Sequence, residues 1–214
     1  MAIKPTLFNT EMVRAILDGR KTCTRRIVKP QQFIGMLPDK CKNGAPEEFL
    51  KEKKPMFKPY CDMTDIELIK TAYKAPYQPG DILYVRETWC GLPVNEAGHF
   101  RGHPIYYYRA DGDLRPEGWR GAWHPSIHMP KEAARIWLKV TDVRVERLQE
   151  MWASDASKEG LQFNKPTTAD EMLQAFAELW NSTIKKSDLG SYGWDANPWV
   201  WVIEFERFEK PEGV

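Results

Sequence analysis

The stretch "ARIWLKVTDVRVERL", Ala134 to Leu148, constrains the fold more than any other. Successive residues of a strand point to opposite faces. Here the apolar residues fall first at even positions (Ile136, Leu138, Val140) and then at odd ones (Val143, Val145). One strand can keep both sets on the same face only if an extra residue is inserted. A bulge is therefore predicted near Thr141-Asp142. Bulges bend a strand and increase its twist, so the sheet around it is expected to be curved.

Other strands surround this one. "NPWVWVIEFERF" alternates Trp199, Trp201, Ile203 and Phe205 inward, as a last strand packed on a core. "YQPGDILYVRETW" reads as a turn at Pro79-Gly80-Asp81 followed by a strand from Ile82 to Trp89, with Leu83, Val85, Glu87 and Trp89 on one face. "KPTLFN", "CTRRIV" (stopped by Pro30) and "HPIYYYRAD" complete the set. "GWRGAWHPSIHMP", with Trp119, Trp123, His124 and His128, reads as a loop.

Helices are fewer. Thr10 is placed to cap a helix whose stripe is Met12, Val13, Ile16 and Leu17 and which Gly19 ends. "SDASKEG" reads as a short helix capped by Ser154 and ended by Gly160. Thr168 to Glu171 is a capping box that opens a helix carrying Met172, Phe176, Leu179 and Trp180 on one stripe. Five or six strands with helices that do not alternate with them predict an α+β fold with a curved sheet or small barrel. One domain spans 1–214, with an irregular insertion at about 31–77 in which "DIELIKTAY" is the best helical segment.

Net charge is +1, and no apolar run approaches the ~18 residues of a membrane span. The N-terminus lacks the apolar core of a signal peptide, which points to a cytoplasmic protein. Cys23, Cys41, Cys61 and Cys90 have no metal-knuckle spacing, and no His pair stands at zinc spacing, so free thiols and no metal or cofactor are expected. Charge is uneven. Arg14, Arg20, Lys21, Arg25, Arg26 and Lys29 face Asp18 alone between positions 14 and 29. A local basic face on a neutral protein suggests a confined anionic ligand; a solvated turn is the plainer alternative.

The motif G-x-K-x-x-T-x-R (Gly19, Lys21, Thr24, Arg26), followed in order by "PGDILYVRETW", "SDASKEG" and the last apolar strand, resembles the ASCH domain family of the PUA-like superfamily. "WHPSIHMPKEAARI" and "WDANPWVWVIEFER" look like the longer phage and prophage versions. The resemblance implies a PUA-like small mixed β-barrel flanked by helices, with a cleft beside "GRKTCTRR". It implies binding of a nucleotide or of single-stranded RNA or DNA. It also carries two alternatives: an amidohydrolase acting on a modified nucleoside such as acetylated cytidine, through a Lys, a Thr and a Glu, or a ribonuclease. Those three residues fall on Lys21, Thr24 and Glu159.

The chemistry of these residue types is consistent with that assignment. A threonine hydroxyl needs a base to take its proton. A lysine can serve when burial or neighbouring cations favour its neutral form, and Arg20, Arg25 and Arg26 are close in sequence. Glu159 stands at a helix C-terminus, where the dipole disfavours an anion and suits a proton donor. A straight strand would point Lys21 and Thr24 to opposite faces, so a turn around Lys21-Thr22 is required. Further binding candidates are Arg20, Arg25 and Arg26 for phosphate, Trp89 and Trp123 for base stacking, and Glu87 and His128. Glu87, on an apolar face, is expected to pair with Arg25 or Arg26 across strands.

Overall fold

A computed structural model describes residues 1–29, 64–91, 106–115, 121–163 and 165–213. A five-stranded sheet runs in the order β1-β3-β6-β7-β2: β1 (Ile3–Leu7), β2 (Cys23–Ile27), β3 (Ile82–Arg86), β6 (Trp137–Arg147) and β7 (Trp199–Phe208). Within it, among the described residues, only the β1–β3 pair is parallel. A separate antiparallel pair joins β4 (Trp89–Gly91) to β5 (Tyr106–Tyr108). The helices are α1 (Thr10–Leu17), α2 (Asp65–Ala72), α3 (Ala153–Lys158), α4 (Ala169–Thr183) and the single turn α5 (Leu189–Tyr192). The α+β class holds. No helix among the described residues is long and apolar enough to cross a membrane.

The register of β6 against β7 shifts between Val140 and Asp142, the bulge that the parity change requires. Its effect is visible in the packing. Leu138, Val140, Val143 and Val145 all join one core, with Leu83, Val85, Trp201 and Ile203, under α1 and Ile69 of α2. From Trp199 to Ile203, β7 is buried on both faces. Trp199, Trp201, Ile203 and Phe205 enter that core, while Val200 and Val202 pack on the opposite side against Met151 and, in the α3–α4 layer, Ala156, Phe176 and Trp180.

The barrel does not close. β1 and β2 are the two edges of the sheet and share no ladder. Side chains span the gap instead: Arg26 of β2 donates to the Leu7 carbonyl of β1 at 3.1 Å, and its guanidinium lies 5.5 Å from the centre of the Phe8 ring. The outer edge of β1 is blunted by Pro5, which has no N–H to offer, and by the segment after α2. There Tyr77 Oη donates to the Pro5 carbonyl at 2.9 Å, and Lys4 Nζ donates to the Pro76 carbonyl at 3.2 Å.

Local details correct several expectations. The cap of α1 is Asn9, whose side chain accepts from the Met12 N–H at 2.8 Å; Thr10 is the first helical residue. Ser154 does not cap α3, which is preceded by Trp152 with no side-chain cap bond. The Thr168–Glu171 capping box is present. The strand from Ile82 ends at Arg86, and Trp89 opens β4 in the smaller sheet. Of the insertion, 64–77 is described and contains α2 where "DIELIKTAY" was expected to be helical. Positions 31–63, with Cys41 and Cys61, lie outside the described residues, as does Trp119. Cys23 and Cys90 are buried thiols.

Candidate functional site

The segment between α1 and β2 is built as a turn. Gly19 takes φ +75°, and the N–H groups of Arg20 and Lys21 both donate to the Ala15 carbonyl, at 2.8 and 3.0 Å. Thr22 N–H then donates to Lys158 O at 2.9 Å, joining the turn to the end of α3. The strand begins only at Cys23, so Lys21 is free of strand alternation, as the Lys21–Thr24 pair needs. Gly160 makes the close approach possible. Its φ is +102°, and a Cβ there would stand 2.7 Å from Ala15 Cβ and 3.2 Å from Lys21 Cβ.

This contact brings Lys21 to Glu159. Lys21 Nζ donates to Glu159 Oε2 at 2.7 Å and to its backbone carbonyl at 2.8 Å. Glu159 Oε1 accepts from Arg25 at 3.1 Å. Arg25 also reaches Glu146 Oε1 at 2.7 Å and Asp155 Oδ2 at 3.2 Å, and Asp155 accepts from Lys158 at 2.9 Å. Three cations and three carboxylates therefore interlock around a buried centre, where the Lys21 and Arg25 side chains are 0% and 1% exposed. Burial opposes the Arg25 charge, but Glu159 and Glu146 outweigh it and hold the guanidinium more firmly protonated than usual. Burial also disfavours the charge on Asp155, yet Lys158 and Arg25 keep its pKa below the ordinary aspartate range. Cys23, beside Arg25, is pushed up to about 12 by burial and then by Glu159, which disfavours its thiolate.

A cleft of ≈ 220 Å³ opens beside this centre. Thr24, Arg25, Arg26 and Glu159 line it from one side, Phe176 and Trp180 of α4 from another, and Leu7, Asn9 and Met12 close the third. Thr24 is a buried residue that lines the cleft, and its hydroxyl makes no hydrogen bond among the described residues. Thr24 and Glu159 thus share one cleft, and Lys21 stands behind Glu159 as its ion-pair partner.

The basic run is not a cationic surface. Arg14 pairs with Glu11, Arg20 pairs with Asp18 and donates to the Gly160 carbonyl, and Lys21 and Arg25 are held as described. The neighbouring cations expected to act on Lys21 are turned to partners of their own. Among the described residues, Arg26 and Lys29 alone in this run have no carboxylate partner; Arg26 rests on Phe8 and Lys29 on the Tyr192 ring.

The remaining candidates lie elsewhere and do not line the cleft. Glu87 pairs with Arg135 through two 3.0 Å bonds, not with Arg25 or Arg26, because β3 and β2 are separated by β6 and β7. Burial raises the Glu87 pKa above the usual glutamate range against the pull of Arg135. Trp89 packs edge-on to Tyr106 and beside His124 in the small sheet. The ring of Trp123 has the guanidinium groups of Arg109 and Arg115 at 5.3 and 4.6 Å. His128 is exposed at the end of a one-turn 3₁₀ segment, Ser126–His128. Sequence reasoning missed Glu146 and Asp155. The one hint in the sequence is Arg25 itself, a cation within a strand segment that needs a carboxylate if it is buried, but nothing local names the partner.

No family model matches the chain, and no curated protein matches it. Among solved structures it is similar to an ASCH domain from Lactobacillus crispatus, with 10% sequence identity, coverage of 96% of this chain and 79% of that one, and a TM-score of 0.35.

Proposed function

We propose that the cleft beside Thr24 binds a nucleotide or a short single-stranded nucleic-acid segment, with a base in the cleft and a phosphate at Arg26. The observation that carries the reading is the pairing of an unengaged hydroxyl on a cleft-lining residue, Thr24, with a rim guanidinium, Arg26, that has no carboxylate partner among the described residues. Phe176 and Trp180 supply an aromatic wall, and a base can stack on such side chains. A site with few polar groups aimed inward on an apolar lining is the usual make-up of a small-ligand pocket. The order of motifs that resembles ASCH domains points the same way. The test is equilibrium binding of a panel of nucleotides and short single strands to the wild type, Thr24→Val and Arg26→Ala. Salt-sensitive binding that both substitutions weaken supports the reading. Equal affinity in all three proteins refutes it.

A hydrolase is the second reading, supported by Thr24 and Glu159 lining one cleft with Lys21 Nζ 2.7 Å from the Glu159 carboxylate. In this arrangement both Glu159 oxygens accept from cations, so the carboxylate would have to exchange a partner before it could deliver a proton. Binding at Thr24 and Arg26 requires no such exchange at Glu159. Turnover of acetylated cytidine or cleavage of single-stranded RNA by the wild type, abolished in Thr24→Val, would establish the second.

A further inference from the structure

A second cavity, ≈ 520 Å³, lies on the other side of Arg26. Its lining includes Arg26, Lys29, Lys74, Tyr73, Tyr77 and Trp201. No carboxylate lines it, and none pairs with Arg26, Lys29 or Lys74 among the described residues. The two cavities follow from one architectural fact. β1 and β2 are unpaired edges facing each other, and the segment 73–77 is tied to β1 through Tyr77 and Pro76. Arg26, reaching from β2 to the Leu7 carbonyl, divides the gap into two compartments and belongs to both linings.

The compartments differ in chemistry. In the smaller one the guanidinium of Arg25 is neutralised by Glu159, Glu146 and Asp155, so it offers little to a phosphate. The larger one is lined by three cations with no carboxylate partner among the described residues, by the half-buried rings of Tyr73 and Tyr77, and by the buried Trp201. Cations beside aromatic faces are the combination that tracks a single-stranded backbone and stacks its bases.

We infer that the ligand is a single strand of at least two nucleotides. One base sits in the Thr24 compartment, the linking phosphate lies at Arg26, and the next nucleotide occupies the Lys29–Lys74 compartment. This rests on the proposed nucleotide-binding reading and adds the second compartment to it. A lone nucleoside would leave the larger and more charged compartment without a ligand.

The experiment measures three probes at several salt concentrations: the four ribonucleosides, the four ribonucleoside triphosphates and a mixed-sequence ribotetranucleotide. Each is titrated into the wild type and into the double variant Lys29→Ala, Lys74→Ala, whose changes are at exposed positions outside the Thr24 compartment. The expected result is that the tetranucleotide binds the wild type tightest and loses about tenfold or more in the double variant, with nucleoside affinity unchanged. The slope of log affinity against log salt should flatten by about 1.4, the effect of two lost phosphate contacts on a single strand. Triphosphates that bind as tightly as the tetranucleotide and lose as much would overturn the inference in favour of a mononucleotide whose phosphates fill the second compartment. A tetranucleotide indifferent to the double variant, with nucleosides still bound, overturns it while leaving the nucleotide-binding reading intact. No binding of any probe to the wild type removes both.

Discussion

Lys21, Arg25 and Glu159 are each almost wholly buried, and each would be costly there alone. They are tolerable because every charge meets its opposite, and removing one member should expose that dependence. Glu159→Gln leaves Lys21 without its carboxylate and is expected to cost about 3–5 kcal/mol, measured by urea denaturation. Adding Lys21→Met should restore part of the loss, since Arg25 keeps Glu146 and Asp155. Thr24→Val is the opposite case. The hydroxyl bonds to nothing among the described residues, so unfolding stability should stay within about 1 kcal/mol of wild type while ligand affinity falls. A Tm shift of many degrees in Thr24→Val would mean that the hydroxyl has a structural partner. At Gly160 the backbone decides: alanine must adopt φ +102° and push its Cβ to 2.7 Å from Ala15. Gly160→Ala is expected to destabilise by about 2–3 kcal/mol and to loosen the junction that delivers Lys21 to Glu159.

Among the elements, the turn before β3 is held by one carboxylate. Asp81 accepts from Lys4 Nζ at 2.6 Å and from the Ala2 and Gln78 N–H groups at 3.0 Å each. Burial works to raise its pKa, but those donors outweigh it and the pKa is lowered. A depressed carboxylate contributes stability that is present above its unfolded pKa, about 3.9, and that is lost as pH falls through the folded value. Melting temperatures of the wild type between pH 3 and 7 should therefore drop below about pH 4, and Asp81→Asn should be less stable at neutrality with a shallower drop; parallel curves would show that Asp81 is not responsible. The elements also show what sequence patterning can reach. The β6 bulge, the capping box at Thr168 and the turn that frees Lys21 from strand parity were legible because each rests on spacing or on local bonding. The ends of strands were less so. Glu87 and Trp89 continue the alternation of Leu83 and Val85 on paper, yet the ladder stops at Arg86, where tertiary pairing to β6 has already ended at Tyr84–Trp137. The partner of Arg25 was out of reach for the same reason: Glu146 and Asp155 lie 121 and 130 residues away in sequence.

For the whole molecule, β7 links the two main cores, since Trp201 and Ile203 enter one and Val200 and Val202 the other. Neither core can melt without stripping a face of the same strand. Urea unfolding followed by tryptophan fluorescence and by far-ultraviolet circular dichroism should give coincident single transitions. Separated midpoints would show that the α3–α4 layer unfolds on its own.

The gap between β1 and β2 has a mechanical consequence. In a closed barrel, any widening between neighbouring strands breaks a series of ladder bonds together. Here the two edges are joined by a side chain, through the bond from Arg26 to Leu7 O and the contact with Phe8. Giving up one such hydrogen bond costs about 1.5–3 kcal/mol, and a phosphate that takes over the guanidinium returns much of it. The same arginine that latches the two edges is thus the group a ligand would engage, so occupancy and the width of the gap are coupled through it.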